Sequence, residues 1–531
     1  MRRAAIEAGC QVVESSQTSW VGTMGPNAPG AYSPRSGALV IGEVWTHPDA
    51  SVDTAHRAAD LEYSRWHCGN RWGRFVILYR DADGKVRAVF RDPSGSLAAF
   101  VWSARGVQIV ASATPDWLVD GSADGLSIDW DEVASWHQSP LLGLRRSPLV
   151  GLVSARPGEH LDLETGGQQL WSLDETARRP SYDRRTAPRI LKHRLEDSVR
   201  ALVGNRPVGI ELSGGLDSAI VAGAIRATGK PIDFALNLRS DHPETDERAY
   251  ARAAANASGV ALTERLRVEL DYSSWAFEET AGDPIPSQNG RDLVNDCAVT
   301  EACAEAGVER LITGKGGDAL FFQMHTPLAF ADLAWRRPLG AMVSAHLPGV
   351  ARWTRTSTWS LLQRALETRR VAEPDSLPPA KRLQIAAIES GLAYYSACRR
   401  ADRVDLIHPL MTQPMIEWAL RTPVDLLVNG GRERGLARAV FADHIPPEIG
   451  ARQGKGDYAA YFNQQAARNL AFLRDYLLGG RLAAEGILDT NVMDAQLTED
   501  GLRWRGGASE VLAAVSLEAW VRRWERRLAT A

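Results

Sequence analysis

Val208-Gly209-Ile210-Glu211-Leu212-Ser213-Gly214-Gly215-Leu216-Asp217-Ser218 is the stretch that decides the fold. A short apolar strand ends in a turn of serine and glycine, and residues 218–228 continue as an Ala-rich helix. The same rhythm extends outward. Residues 190–199 carry apolar side chains at helical spacing, 232–238 read as a strand, 300–306 as a helix and 309–313 as a strand. Strands alternating with helices at this interval predict a parallel sheet with helices on both faces.

The turn also has a chemical reading. Backbone N–H groups of a tight glycine turn, together with a helix N-terminus, make an anion site. Gly214 and Gly215 let the backbone approach phosphate oxygens, and Ser213 and Ser218 offer hydroxyl donors. Asp217 is suited to hold Mg²⁺ against a triphosphate. No lysine sits in the loop, so it differs from the Gly-x-x-x-x-Gly-Lys-Ser/Thr pattern. About a hundred residues on, Leu311-Ile312-Thr313-Gly314-Lys315-Gly316-Gly317-Asp318 again follows a strand. Such a loop lies at the carboxyl end of the sheet, where open α/β folds bind ligands. Asp318 is then a second Mg²⁺ ligand opposite Asp217, and the glycines leave room for a nucleotide.

Around this centre, 531 residues are too many for one ordinary core, so two domains are expected. Residues 1 to about 175 read mainly as β, with runs such as Arg74-Phe75-Val76-Ile77-Leu78-Tyr79 and Val86-Arg87-Ala88-Val89-Phe90 joined by a hairpin at Asp81-Ala82-Asp83-Gly84. Residues 174–189 have linker composition, which divides the chain into 1–178 and 179–531. Beyond 325 the chain is largely helical, with an arginine-rich segment at 325–371. The last helix carries Leu512, Val515, Trp520, Val521, Trp524 and Leu528 on one face. A net charge of -4 argues against a general nucleic-acid binder. Five scattered cysteines show no metal spacing and read as reduced thiols. No apolar run reaches the ~20 residues needed to cross a bilayer, and no signal peptide is legible, so the expected location is the cytoplasm.

Taken together, the two loops resemble those of the asparagine synthetase family, which includes β-lactam synthetases and lasso peptide cyclases. That family pairs a Ser-Gly-Gly-x-Asp-Ser loop, shared with other ATP pyrophosphatases, with a Thr-Gly-x-Gly-x-Asp loop. Asp246-Glu247-Arg248, Asp283-Pro284, His408-Pro409-Leu410-Met411, Glu417-Trp418-Ala419-Leu420, Gly435-Leu436-Ala437-Arg438, Ile445-Pro446-Pro447-Glu448 and Arg452-Gln453-Gly454-Lys455 follow in the family's order. The resemblance covers residues 190–465 well. It implies ATP and Mg²⁺ as cofactors, with Leu212, Ser213, Gly214, Gly215, Asp217, Ser218, Gly314, Lys315, Gly316 and Arg452 binding the nucleotide and Asp217 and Asp318 the metal. The position of Lys315 is often acidic or aromatic in relatives, which leaves its role open. The resemblance makes Lys455 the catalytic lysine, a cation for charge on the α-phosphate. In β-lactam synthetases a carboxylate and a tyrosine deprotonate the amine; Glu389, Tyr394 and Tyr395 lie in that interval, and Glu389 is the candidate base.

The first domain resembles the family's glutaminase, an N-terminal-nucleophile sandwich, through Gly73-Arg74-Phe75 and Arg91-Asp92-Pro93-Ser94-Gly95. A working glutaminase needs cysteine at the mature N-terminus. Arg2 follows the initiating methionine here, and Cys10 would be exposed only by cleavage after Gly9, so this domain is expected to be degenerate. The amine must then come from elsewhere. These features imply a lasso peptide cyclase: adenylation of a side-chain carboxylate in a precursor peptide, attack by the peptide's α-amine, and a leader-recognition protein and leader peptidase as partners. The rival readings are a β-lactam-synthetase-like or asparagine-synthetase-like enzyme acting on a small amino acid, a nucleotide-binding scaffold without catalysis, and a tRNA-modifying adenylating enzyme.

Overall fold

Five parallel strands form the central sheet, in the order Leu262–Leu266, Phe234–Arg239, Val208–Glu211, Arg310–Ile312 and Asp405–Ile407. The chain enters at the middle strand, works outward to one edge, then returns to build the other side. The reversal falls between Val208–Glu211 and Arg310–Ile312, and the carboxyl ends of strands at such a point are where open α/β sheets bind ligands. Val208 and Ile210 are fully buried, as a strand covered on both faces requires. One covering helix is Thr186–Val203, whose Leu191, Leu195, Val199 and Leu202 form its buried stripe. The computed structural model describes residues 2–15, 19–24, 29–51, 59–139, 146–239, 246–336, 346–370, 376–453, 458–504 and 506–530.

The β-rich region expected before residue 175 centres on a six-stranded sheet, ordered Gly166–Gln169, Glu159–Asp162, Val86–Arg91, Arg71–Arg80, Ala38–Thr46 and Ala31–Arg35. The hairpin at Asp81–Gly84 is present, with the Asp81 amide on the Lys85 carbonyl at 3.0 Å. Alternation along these strands sorts side chains to two faces. Leu39, Val76, Leu78 and Val89 pack against Val101 of a three-stranded sheet ordered Leu152–Ser154, Phe100–Ala104 and Val107–Ala111. Val40, Phe75, Ile77 and Phe90, on the opposite face, share one core with Leu191, Val199 and Ile210 of the α/β region.

Two boundaries differ from the sequence reading. The polar stretch after residue 173 is partly helical: Leu173–Arg178 is capped by Ser172, which accepts from the Glu175 amide. The strand read at 309–313 is Arg310–Ile312. The final helix, Ala508–Thr530, buries Leu512, Val515, Trp520, Val521 and Trp524 as its spacing predicts. It shares a core with Trp102 and Val133, so the first region and the last helix pack together. Among the described residues no helix is long and apolar enough to cross a membrane.

Candidate active site

Leu212 extends the middle strand past the sheet edge, its amide on the Leu236 carbonyl at 2.8 Å and its own carbonyl accepting from Asn237 at 2.6 Å. The chain then turns at Gly214, whose φ of +83° suits a residue without Cβ. Ser213 Oγ accepts from the Gly215 amide, and Ser218 Oγ lies 3.2 Å from Ser213 Oγ. The helix Leu216–Ala227 starts at Gly215 without a side-chain cap, so its first-turn N–H groups stay available to an anion.

The second loop leaves the adjacent strand and packs directly on the first. A Cβ added to Gly314 would lie 2.5 Å from the Ser218 amide nitrogen and 2.8 Å from the Asp217 carbonyl carbon, and one on Gly317 would overlap the Asp217 carboxylate. Thr313 anchors this loop from behind: its hydroxyl meets Nδ1 of the fully buried His408 at 2.8 Å. Burial holds that imidazole well below its ordinary pKa, hence neutral.

Arg434 joins the two acidic residues. Its Nη1 donates to Asp217 Oδ2 at 2.9 Å and to Asp318 Oδ1 at 3.0 Å, while Nε pairs with Glu433 at 2.5 Å. Although not glycine, Arg434 has a φ of +52°, and its amide donates to the carbonyl of Phe322, another left-handed residue. Such backbone persists only where the surroundings enforce it. Here it aims a buried guanidinium between two carboxylates. Burial opposes that charge, but Asp217, Glu433 and Asp318 outweigh it and raise the arginine's pKa. The two carboxylates are hard oxygen donors already gathered around one cation, which fits a magnesium site.

Arg452 backs the phosphate loop. It pairs with the buried Glu247 at 2.6 Å, reaches the Gly214 carbonyl at 3.3 Å and stacks 4.2 Å from the Tyr250 ring centroid. Lys455 lies outside the described residues. Glu389, half-buried, sits at the end of the helix Pro379–Gly391. Tyr395 is turned away, its hydroxyl on the His408 carbonyl at 3.4 Å, and burial pushes that phenol up. The Lys315 side chain leaves the two aspartates and runs to Asn289 Oδ1 at 3.5 Å and the Tyr394 ring, 5.3 Å from its centroid.

Residues 191–522, more than half of the chain, match the family model described as asparagine synthase. The chain belongs to the asparagine synthase family. Members of this family are ATP-dependent ligases, typically working with Mg²⁺. Among curated proteins, amidase chyE of Penicillium rubens is 27% identical over 278 residues, covering 47% of this chain and 39% of the relative. Amidase chry2 of Gibberella zeae is 29% identical over 277 residues, with the same coverage of each. The chain therefore spans well under half the length of these relatives.

Within this asparagine synthase domain, the structure brings together Leu212, Ser213, Gly214, Gly215, Asp217, Ser218, Gly314, Gly316, Asp318 and Arg452. It adds Arg434, Glu433, Asn289 and His408, to which sequence reasoning gave no site role. Arg434 directly precedes the quoted Gly435-Leu436-Ala437-Arg438, and a lone arginine there gave no signal of its contacts. A cavity of about 840 Å³ lies between the first region and the sheet, with Arg91, Asp283 and Tyr394 in its walls and none of the phosphate loop. In the first region, burial pushes the Cys10 thiol up, the opposite of what an activated thiol needs.

Proposed function

We propose that this protein activates a carboxylate as its acyl-adenylate and passes the acyl group to an amine. A carboxylate oxygen attacks the α-phosphorus of ATP, the bond to the β-phosphate breaks and pyrophosphate leaves. The amine nitrogen then attacks the acyl carbon, a proton passes to a base, and AMP departs. The observation that carries the reading is the back-to-back packing of the two loops, which gathers Asp217, Asp318 and the open helix N-terminus at one point. The helix amides and Arg434 are then the pyrophosphate's partners. Magnesium held by Asp217 and Asp318 would neutralise the triphosphate. Lys455 is assigned to charge on the α-phosphate and Glu389 to the amine's proton. Both relatives are named amidases, and amide chemistry is what this reading assigns.

The finer reading is ring closure within a precursor peptide, the α-amine and the activated side chain being held on one molecule so that proximity supplies much of the rate. It is supported by the exposed arginines Arg352 and Arg364, on helices built around a separate small core of Phe330, Val350 and Leu361, and by Arg355 in the turn between them. A second reading, a small amino acid as substrate, is favoured by the surroundings of Lys315. Product analysis with Mg-ATP tests the chemistry: AMP and pyrophosphate in equal amounts support it, and ADP with orthophosphate overturns it.

A further inference from the structure

Among the described residues Lys315 is a cation without an ion-paired anion. Its stem is largely covered, and its ammonium has one long hydrogen bond to a neutral amide oxygen and the face of one ring. Among the described residues no carboxylate lies within ion-pair distance of it. The nearby acids are engaged elsewhere: Arg400 donates to Asp296 at 2.5 Å and to Glu211 at 2.6 Å. Taking an ammonium out of water is costly unless a charged partner offsets it. Burial, and then the field of Arg400, lower its pKa, as an incomplete pairing should.

The position is informative. Lys315 lies between Gly314 and Gly317, the two residues that touch Ser218 and Asp217. Its backbone thus belongs to the loop packed on the phosphate loop, while its side chain carries the ammonium away from the two aspartates to Asn289 and the Tyr394 ring. Asn289 fixes the opposite wall by donating to the carbonyls of Tyr394 and Ser396 at 3.1 and 2.9 Å.

We propose that Lys315 anchors a second carboxylate of the substrate, one that keeps its charge throughout the reaction. The carboxylate that becomes adenylated is the wrong partner, because it loses its charge on joining phosphorus. A contact strongest before reaction would stabilise the ground state and oppose the step. A carboxylate that persists is held equally at every stage and fixes orientation. This inference rests on the adenylation reading. The anion has two sources: the α-carboxylate of a free amino acid, or an acidic residue or C-terminus of a peptide.

The test compares substrates that differ only at the second carboxylate. Aspartate is set against its α-amide, and an aspartate-containing peptide with a free α-amine against the same peptide with its other acid replaced by asparagine. AMP formation is measured with the unaltered protein, Lys315→Met and Lys315→Arg. One pair should show at least a tenfold preference in kcat/KM for the doubly charged member, carried mainly by KM, and that pair identifies the source. Lys315→Met should bring the ratio near one, and Lys315→Arg should retain most of it. An unchanged ratio in Lys315→Met overturns the proposal. Succinate binding against succinamate, measured by calorimetry on the same three proteins, separates the claims. A preference for succinate that Lys315→Met abolishes upholds the anion site even if no AMP forms, in which case adenylation is what fails. No preference overturns the site.

Discussion

One nitrogen of Arg434 reaches both Asp217 and Asp318, and its loss leaves two acids facing each other. Arg434→Met should destabilise the protein by about 3 kcal/mol, because the buried Asp217 carboxylate loses a charged partner. Urea denaturation checks this. Asp217, Asp318 and the serines and glycines of the two loops were legible in the sequence because each loop's chemistry is local: a strand, a glycine turn and a helix within a dozen residues. Arg434 was not, since its role depends on a left-handed turn 116 residues beyond Asp318. Lys315 was legible as a loop residue, but its direction, away from the aspartates and toward Asn289, is set by packing.

The two loops act as one element, and Gly314 is where they meet. Gly314→Ala would drive a methyl group into the Ser218 amide and the Asp217 carbonyl carbon, both backbone atoms that cannot rotate aside. AMP formation should fall by roughly 100-fold, the cost expected of an ångström-scale displacement at a reacting centre. Behind the site, Asp332 caps the helix Pro379–Gly391 from a distance, accepting from the Ala380 and Lys381 amides at 2.9 and 3.1 Å. Burial, opposed by those bonds and by Lys381, raises its pKa to about 7. A folded pKa above the ordinary carboxylate value means that the native state binds the extra proton, so this group's contribution to stability falls as pH rises from about 4 to 7. Asp332→Asn should flatten that slope in melts taken across the interval. Helix existence was readable from apolar spacing; a cap supplied by another helix was not, because no local pattern encodes it.

At the scale of the molecule, composition led to an expected boundary near residue 178 but did not reveal that one face of the first region's sheet shares a core with the α/β region. Glu417 reinforces the join, accepting from Trp171 at 2.9 Å and lying 3.5 Å from His47. The two parts should therefore unfold in one calorimetric transition; two separated transitions would contradict a shared core. The α/β class and the final helix's docking face followed from periodicity, whereas the packing of that helix on the first region arises only in three dimensions.

The most direct test of the central claim is the fate of a heavy-oxygen label in the substrate carboxylate. Attack at the α-phosphorus predicts one labelled oxygen in AMP and none in pyrophosphate or orthophosphate, with no AMP formed by Asp217→Ala. Label appearing in orthophosphate instead, with ADP as the nucleotide product, would place the attack at the γ-phosphorus and contradict the account.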